Sequence, residues 1–277
     1  MTTVAETLRA QRGALTPGEL RVAQALLADY PSAGLQPAAR LAGGAGVSTP
    51  TVVRLVAKLG FGGYADLQEQ LRAELSARSA GPVQLYPATR SADSVLGRFE
   101  QTVVAGLQQT LRDTDPVEFD RAVALLADHD RRILIAGGRV STALASYLCR
   151  YLRLIRPLVR LVETDPSSRA LALLDVDPGQ TVVVFDYRRY DAGTVSFGRS
   201  ARERGADVVL FTDPYLSPLS ASATVLLTSY VAGPPPFVSL IAATALVEAL
   251  ALAVIEATGG SAVRERLEAF DSLSVEQ

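Results

Sequence analysis

Beyond residue 116 the chain carries five short, continuous apolar runs: Arg132 to Ala136, Leu158 to Glu163, Thr181 to Asp186, Asp207 to Thr212 and Ala223 to Thr228. They are rich in β-branched residues, and most are separated by segments with helical spacing. Continuous rather than alternating apolar character marks strands covered on both faces. Strands that alternate with helices build a mostly parallel, doubly wound sheet. Residues 116–277 are therefore expected to form an α/β domain whose ligand sites lie at strand C-termini, against helix N-termini.

The pattern before residue 116 differs. Residues 1–77 read as an all-α unit. Thr16 is placed to cap a helix, with Pro17 at its first position and Glu19 completing a capping box. Tyr30-Pro31 ends that helix. A short helix over Pro37 to Ala42 leads into a turn at Gly43, Gly44 and Gly46. Ser48 then opens a helix that runs to Leu59, with Gly60 just past its end. Residues 78–115 are expected to connect the two units. They comprise a Ser/Pro/Gly-containing linker over 78–92 and an amphipathic helix with Val95, Leu96, Phe99, Val103, Leu107 and Leu111 on one stripe.

Bulk composition narrows the function classes. The net charge of −2 argues against coating nucleic acid through overall positive charge. The first 78 residues, however, carry eight Arg/Lys against six acids, the asymmetry a DNA-binding head needs. The lone cysteine, Cys149, permits no internal disulfide and fits a reducing, cytoplasmic setting. Val238 to Ala257 is almost wholly apolar, yet Glu248 near its middle fits a core or oligomer helix better than a membrane span.

The segment Leu35 to Phe61 has the layout of a helix-turn-helix: short helix, Gly-rich turn, and a second helix opening on small polar residues. Such a helix enters the major groove by its N-terminal end, where compact donors and acceptors are needed. Ser48, Thr49 and Thr51 supply them, Arg54 can reach base edges or a phosphate, and Lys58 the DNA backbone. Val52 is counted with this DNA-facing set. Val53, Val56, Ala57 and Leu59 are expected to pack on the preceding helix.

Val47-Ser48-x-x-Thr51-Val52-x-Arg54, followed by Lys58-Leu59-Gly60-Phe61-x-Gly63-Tyr64-x-x-Leu67, resembles the helix-turn-helix of the MurR/RpiR family of transcriptional regulators. The resemblance covers roughly residues 5–77. Pro50 stands where the family has a small residue, and a first helical turn tolerates it. The resemblance implies a C-terminal sugar isomerase (SIS) domain, and Thr212-Asp213-x-x-x-Ser217-Pro218-Leu219 is similar to a strand-end pattern of that fold.

Three strand ends carry residues suited to a ligand, one of them the Thr212 to Leu219 segment after the fourth strand. Gly137-Gly138-Arg139-Val140-Ser141-Thr142 opens a helix after the first strand, and lacks the glycine spacing of a dinucleotide site despite Glu163 at the end of the second. After the third strand comes Asp186-Tyr187-Arg188-Arg189-Tyr190-Asp191-Ala192-Gly193-Thr194. Sugar-phosphate-binding SIS domains typically have a Ser-x-Ser-Gly-x-Thr loop here. This chain keeps Gly193-Thr194 but replaces the first hydroxyls with arginines. The candidate effector residues are Gly138, Arg139, Ser141, Thr142, Arg188, Arg189 and Thr194. The alternative is that Arg188 and Arg189 form structural ion pairs with Asp186 or Asp191.

The expected protein is a non-enzymatic regulator of a double-stranded DNA operator. A small anion, sugar phosphate or carboxylate, would control it, and it would act as a homodimer or tetramer without membrane, metal or cofactor. The alternative is a sugar-phosphate isomerase. For that, Glu163 and Glu248 are the possible bases, while the sole histidine, His129, precedes the first strand.

Overall fold

The computed structural model describes residues 3–85 and 94–274. The linker expectation for 86–92 lies outside these residues. Six helices form the head: α1 (Val4–Ala10), α2 (Pro17–Ala28), α3 (Ser32–Leu35), α4 (Ala38–Gly44), α5 (Thr49–Lys58) and α6 (Tyr64–Ser79). Local chemistry fixes their ends. Thr16 caps α2 in a full capping box with Glu19, behind Pro17. Thr3 and Glu6 repeat the device on α1. Gly46 at φ +62° and Gly60 at φ +91° take left-handed conformations that bracket α5, where a side chain would be strained. Leu8, Val22, Leu26, Leu41, Val52, Leu55, Leu67 and Leu71 form the head's core.

A short helix α7 (Pro82–Leu85) follows, and then the long α8 (Val95–Asp113) and α9 (Pro116–Ala127). The α/β domain continues as β1 (Arg132–Gly137), α10 (Thr142–Ile155), β2 (Val159–Leu161), α11 (Pro166–Leu174), β3 (Gln180–Phe185), α12 (Ala192–Glu203), β4 (Asp207–Thr212), β5 (Val225–Thr228), α13 (Ile241–Thr258) and α14 (Gly260–Ser274). All five expected strands are present. The sheet runs β2-β1-β3-β4-β5, every pair parallel, so the strand order reverses between β1 and β3.

The three central strands, β1, β3 and β4, are buried on both faces, as their continuous apolar character requires, whereas the edge strands β2 and β5 are only partly buried. One face packs Ile133, Ile135, Val183, Phe185, Val209 and Phe211 against α9, α10 and α13, with Phe185 stacked on Phe211 at 4.5 Å. The other face packs Leu134, Val182, Val184, Val208 and Leu210 against α11 and α12. Helix α13 is long and apolar enough to cross a membrane, but it lies against α8, α9 and α10 with Leu246, Val247, Leu250 and Val254 buried.

The head rests on this domain. Leu216, from the loop after β4, is buried inside the head's apolar core. The Thr3 hydroxyl donates to the Pro214 carbonyl at 3.2 Å, and the Tyr230 phenol to Glu6.

The stripe expected on α8 is buried only in part, at Val103 and to a lesser extent at Leu107. Val103, Gly106 and Thr110 face inward, whereas Val95, Leu96, Phe99 and Leu111 are exposed. Gly106 faces Tyr230 and Ala232, at ordinary contact distance from where a Cβ would stand.

Candidate functional site

Two sites emerge, one on the head and one at the sheet's switch point. On the head, α5 follows α4 across the Gly46 turn and buries Thr51, Val52, Leu55, Val56 and Leu59. Its outward face carries Ser48, Thr49, Pro50, Val53, Arg54 and Ala57. Several residues of this helix therefore stand otherwise than expected. Val52 is wholly buried, so it packs the head rather than facing DNA. Thr51 is nearly so, with its hydroxyl 3.1 Å from the Ser48 hydroxyl and from Arg54 Nη2, which donates to it. Lys58 is engaged within the head. Its ammonium donates to the Ala14 carbonyl at 2.7 Å and pairs with the buried Glu19 at 2.9 Å. The Lys58 hydrogen bond, with the Thr16 amide, holds the Glu19 carboxyl below its usual range. Val53 and Ala57, expected to pack, are exposed instead. Adjacent Val52 and Val53 look alike in sequence, and only the helix's rotation against α2 and α4 separates them.

The second site is a cavity of about 350 Å³ at the C-terminal ends of β1 and β3, where strand order reverses. This is where open α/β sheets place their ligands. Gly138, Arg139, Val140 and Ser141 line it after β1, and Asp186 to Arg189 with Asp191 after β3. Pro236, Phe237, Val238 and Leu240 form the wall that leads into α13. Ala80 and Leu85, from the segment that leaves the head, complete the lining. A larger cavity, about 470 Å³, lies at the opposite end of the sheet around Arg132 and Arg160, away from the strand C-termini. Its buried Arg156 is committed to main-chain carbonyls of Leu126, Asp128, His129 and Arg131.

Five of the seven expected effector residues meet in the switch-point cavity: Gly138, Arg139, Ser141, Arg188 and Arg189. Thr142 and Thr194 do not line it. Thr194 is fully buried, its hydroxyl donating to Asp191 at 2.7 Å and accepting from Arg169 at 2.8 Å. Ser141 is already bonded, accepting from the Gly138 amide at 2.9 Å and donating to the Phe185 carbonyl at 2.6 Å.

The arginine ion pairs also differ from expectation. Arg188 sits 3.9 Å from Asp213 and lies over the Tyr215 ring at 4.6 Å. Arg169, from α11, pairs with Asp191 at 3.1 Å and donates to the Gly137 carbonyl. It thus ties three strand-end loops together. Nothing in its local sequence announces this, because its partners arrive from β1 and β3. Neither Glu163 nor Glu248 lines the cavity. Glu248 is on the outer side of α13 and accepts from Tyr147 at 2.7 Å.

Acidic side chains beneath the loop form a linked set. Asp213 is wholly buried and accepts from the Arg188 amide at 2.7 Å, the Tyr190 phenol at 2.8 Å and the Tyr215 amide at 3.0 Å. Burial pushes its carboxyl above the ordinary value, opposed by Arg188. Asp186 accepts from the Ser217 hydroxyl and from the Asp191 amide. Burial, aided by the charges of Asp213 and Asp191 and opposed by those two hydrogen bonds, raises the Asp186 carboxyl to about 6.

Between the ordinary carboxylate range and 6, the unfolded chain releases this proton and the folded chain keeps it, so stability falls as pH rises through that window. Asp186→Asn removes the effect. Urea unfolding should show the variant gaining roughly 1 kcal/mol on the wild type between pH 5 and pH 8. An equal stability difference at the two pH values would refute this account of Asp186.

Comparison with known proteins agrees with this architecture. Residues 2–78 match the helix-turn-helix domain of the rpiR family, and residues 125–253 match the SIS domain. A DNA-binding head joined to a sugar-isomerase-type fold defines a class of transcriptional regulators. The chain belongs to the MurR/RpiR family of that class. It is 26% identical over 227 residues to the HTH-type transcriptional regulator HexR of Pseudomonas aeruginosa, covering 82% of this chain and 79% of the relative. Against HexR of Escherichia coli the identity is 24% over 223 residues, 80% and 76% of the two chains. Among solved structures, the sugar isomerase domain of an RpiR transcription factor from Sphaerobacter thermophilus matches with TM-score 0.59 at 23% identity, over 64% of this chain and 97% of that one. The Vibrio vulnificus NanR protein, complexed with ManNAc-6P, matches over 97% of both chains with TM-score 0.57 at 21% identity. These structures share the fold.

Proposed function

We propose that this regulator binds a DNA operator through the outward face of α5 and is controlled by a small anion held at the β1/β3 switch point. Ser48, Thr49 and Arg54 make the polar contacts on the DNA side, with Pro50 and Val53 seated between them. The observation that carries the control is the cavity's composition: strand-end residues line it together with Ala80 and Leu85, which leave the head. An occupant therefore touches both units, and can favour one placement of the head over another.

The protein acts in the cytoplasm as a homodimer. The exposed apolar faces of α8 and α13, with Val95, Leu96, Phe99 and Leu252, supply its interface. A symmetric dimer would read a pseudo-palindrome with half-sites about 34 Å apart or a multiple of that. No catalytic step is assigned, in keeping with relatives that are named transcriptional regulators.

Selection of genomic fragments by the purified full chain, at fixed salt, tests the reading. Enrichment of one pseudo-palindrome is the expected result. Absence of any sequence-specific enrichment, with or without anionic metabolites, would overturn it and shift the test to isomerase activity.

A further inference from the structure

The place where α12 would receive an anion is filled by the chain itself. A helix N-terminus offers backbone amides and a favourable dipole to a phosphate. Here the Asp191 carboxylate occupies that position. It accepts from the Thr194 amide at 2.8 Å, the Thr194 hydroxyl at 2.7 Å and Arg169 Nη1 at 3.1 Å. Burial works against its charge, but these bonds outweigh it and hold the carboxyl below the usual range, so Asp191 stays ionised. The β1 loop is closed as well, since the Gly138 amide and the Ser141 hydroxyl bond within the loop and to the Phe185 carbonyl. A phosphate at this position would meet Asp191, with Asp186 behind it, and would find its donors already in use.

What remains open in the cavity has a different character. Arg139 and Arg189 are exposed at the rim, and neither forms an ion pair among the described residues. The same cavity has apolar lining from Leu85, Val140, Phe237, Val238 and Leu240, with Phe237 70% exposed. A guanidinium binds a carboxylate in bidentate fashion, and exposed hydrocarbon beside it favours an occupant with an apolar body.

We infer that the effector is a small organic carboxylate with a hydrocarbon body. Arg139 and Arg189 hold its charged end and the Phe237 wall its chain, and it is not a sugar phosphate seated on α12. The inference rests on reading this cavity as the effector site.

Calorimetric titration of the full chain tests it, using straight and branched carboxylates of four to six carbons, their primary amides, inorganic phosphate and glucose 6-phosphate. Carboxylates should bind saturably and tighten about fourfold for each added methylene. The amides should bind at least tenfold more weakly. Arg189→Ala, at an exposed side chain, should cost tenfold or more without moving the melting temperature. Neither phosphate compound should bind the wild type. Asp191→Ser, which empties the α12 position, should admit inorganic phosphate.

Binding of glucose 6-phosphate to the wild type more tightly than any carboxylate overturns the inference, as does failure of every carboxylate to bind. Val238→Trp, which fills the cavity, separates the two levels. Sugar-phosphate binding abolished by that substitution leaves an effector site of the wrong class. Carboxylate binding that survives it removes the cavity from the reading altogether.

Discussion

Val53→Asp should lower operator affinity at least 100-fold while leaving the melting temperature within about 2 °C of wild type. Val53 is 49% exposed on the outward face of α5, one turn from Thr49 and beside Arg54. Its side chain contributes little to the head's core, so its loss costs little stability. A carboxylate there would stand against the phosphates and base-edge acceptors of the groove. Like charges across a desolvated contact cost several kcal/mol, and a hundredfold loss requires about 2.7 kcal/mol.

The neighbouring residue is the control. Val52 is wholly buried, and Val52→Asp places an unpaired charge in an apolar core, which costs enough to unfold a small helical unit. Both variants lose DNA binding, but only Val52→Asp loses the head's cooperative melting. Fluorescence anisotropy on the selected operator, at one salt concentration, with thermal melts of the same samples, distinguishes them. Wild-type affinity in Val53→Asp would remove α5 from the DNA interface.

These two valines also show how far sequence carries. The central strands were legible because burial on both faces leaves a continuous apolar run, which is a local property of the chain. The capping box of Thr16 and Glu19 and the glycine after α5 were legible for the same reason. The rotation of α5 was not. Its burial is decided by where α2 and α4 stand, and polar residues at a helix start look like a DNA face whether or not they turn outward. Lys58 illustrates the limit. It reads as a groove-facing cation, yet Glu19, distant in sequence, claims it.

In the effector cavity the strand-end loops could be located from sequence, but not their internal bonding. The arginines after β3 suggested partners among the neighbouring acids Asp186 and Asp191. Folding instead gives Arg188 to Asp213 of the next strand, and gives Asp191 to Arg169 of the preceding helix. Those pairings follow from the parallel order β1-β3-β4, which brings successive strand ends side by side.

Arg78→Ala should uncouple the two units. Operator affinity without effector should stay within threefold of wild type, while the change in affinity on saturation with effector falls to less than a third of its wild-type value. Arg78 closes α6, the last helix of the head. Its guanidinium donates to the Tyr30 carbonyl at 3.0 Å and lies 5.1 Å from the centre of the Tyr190 ring. Tyr190 belongs to the loop whose Arg188 and Arg189 line the cavity, and its phenol donates to the buried Asp213. Burial, with the Asp213 charge beside it, keeps that phenol protonated and able to donate. A ligand that shifts this loop therefore moves the surface on which Arg78 rests.

The expected size is consistent with the contact. A cation over an aromatic face contributes about 0.5–2 kcal/mol, which spans much of the 1–3 kcal/mol by which allosteric sites are typically coupled. Tyr190→Phe refines the test, since it keeps the ring under Arg78 but leaves Asp213 short of a donor. If the stacking contact carries the signal, Tyr190→Phe retains most of the response and Arg78→Ala does not. If the loop's anchorage to Asp213 carries it, both lose it. Linkage adds an independent check, because operator DNA must change effector affinity by the same factor that effector changes operator affinity. Arg78→Ala should shrink both factors together. A full effector response in that variant would place the coupling elsewhere, in the Leu216 contact or in the segment through Ala80 and Leu85.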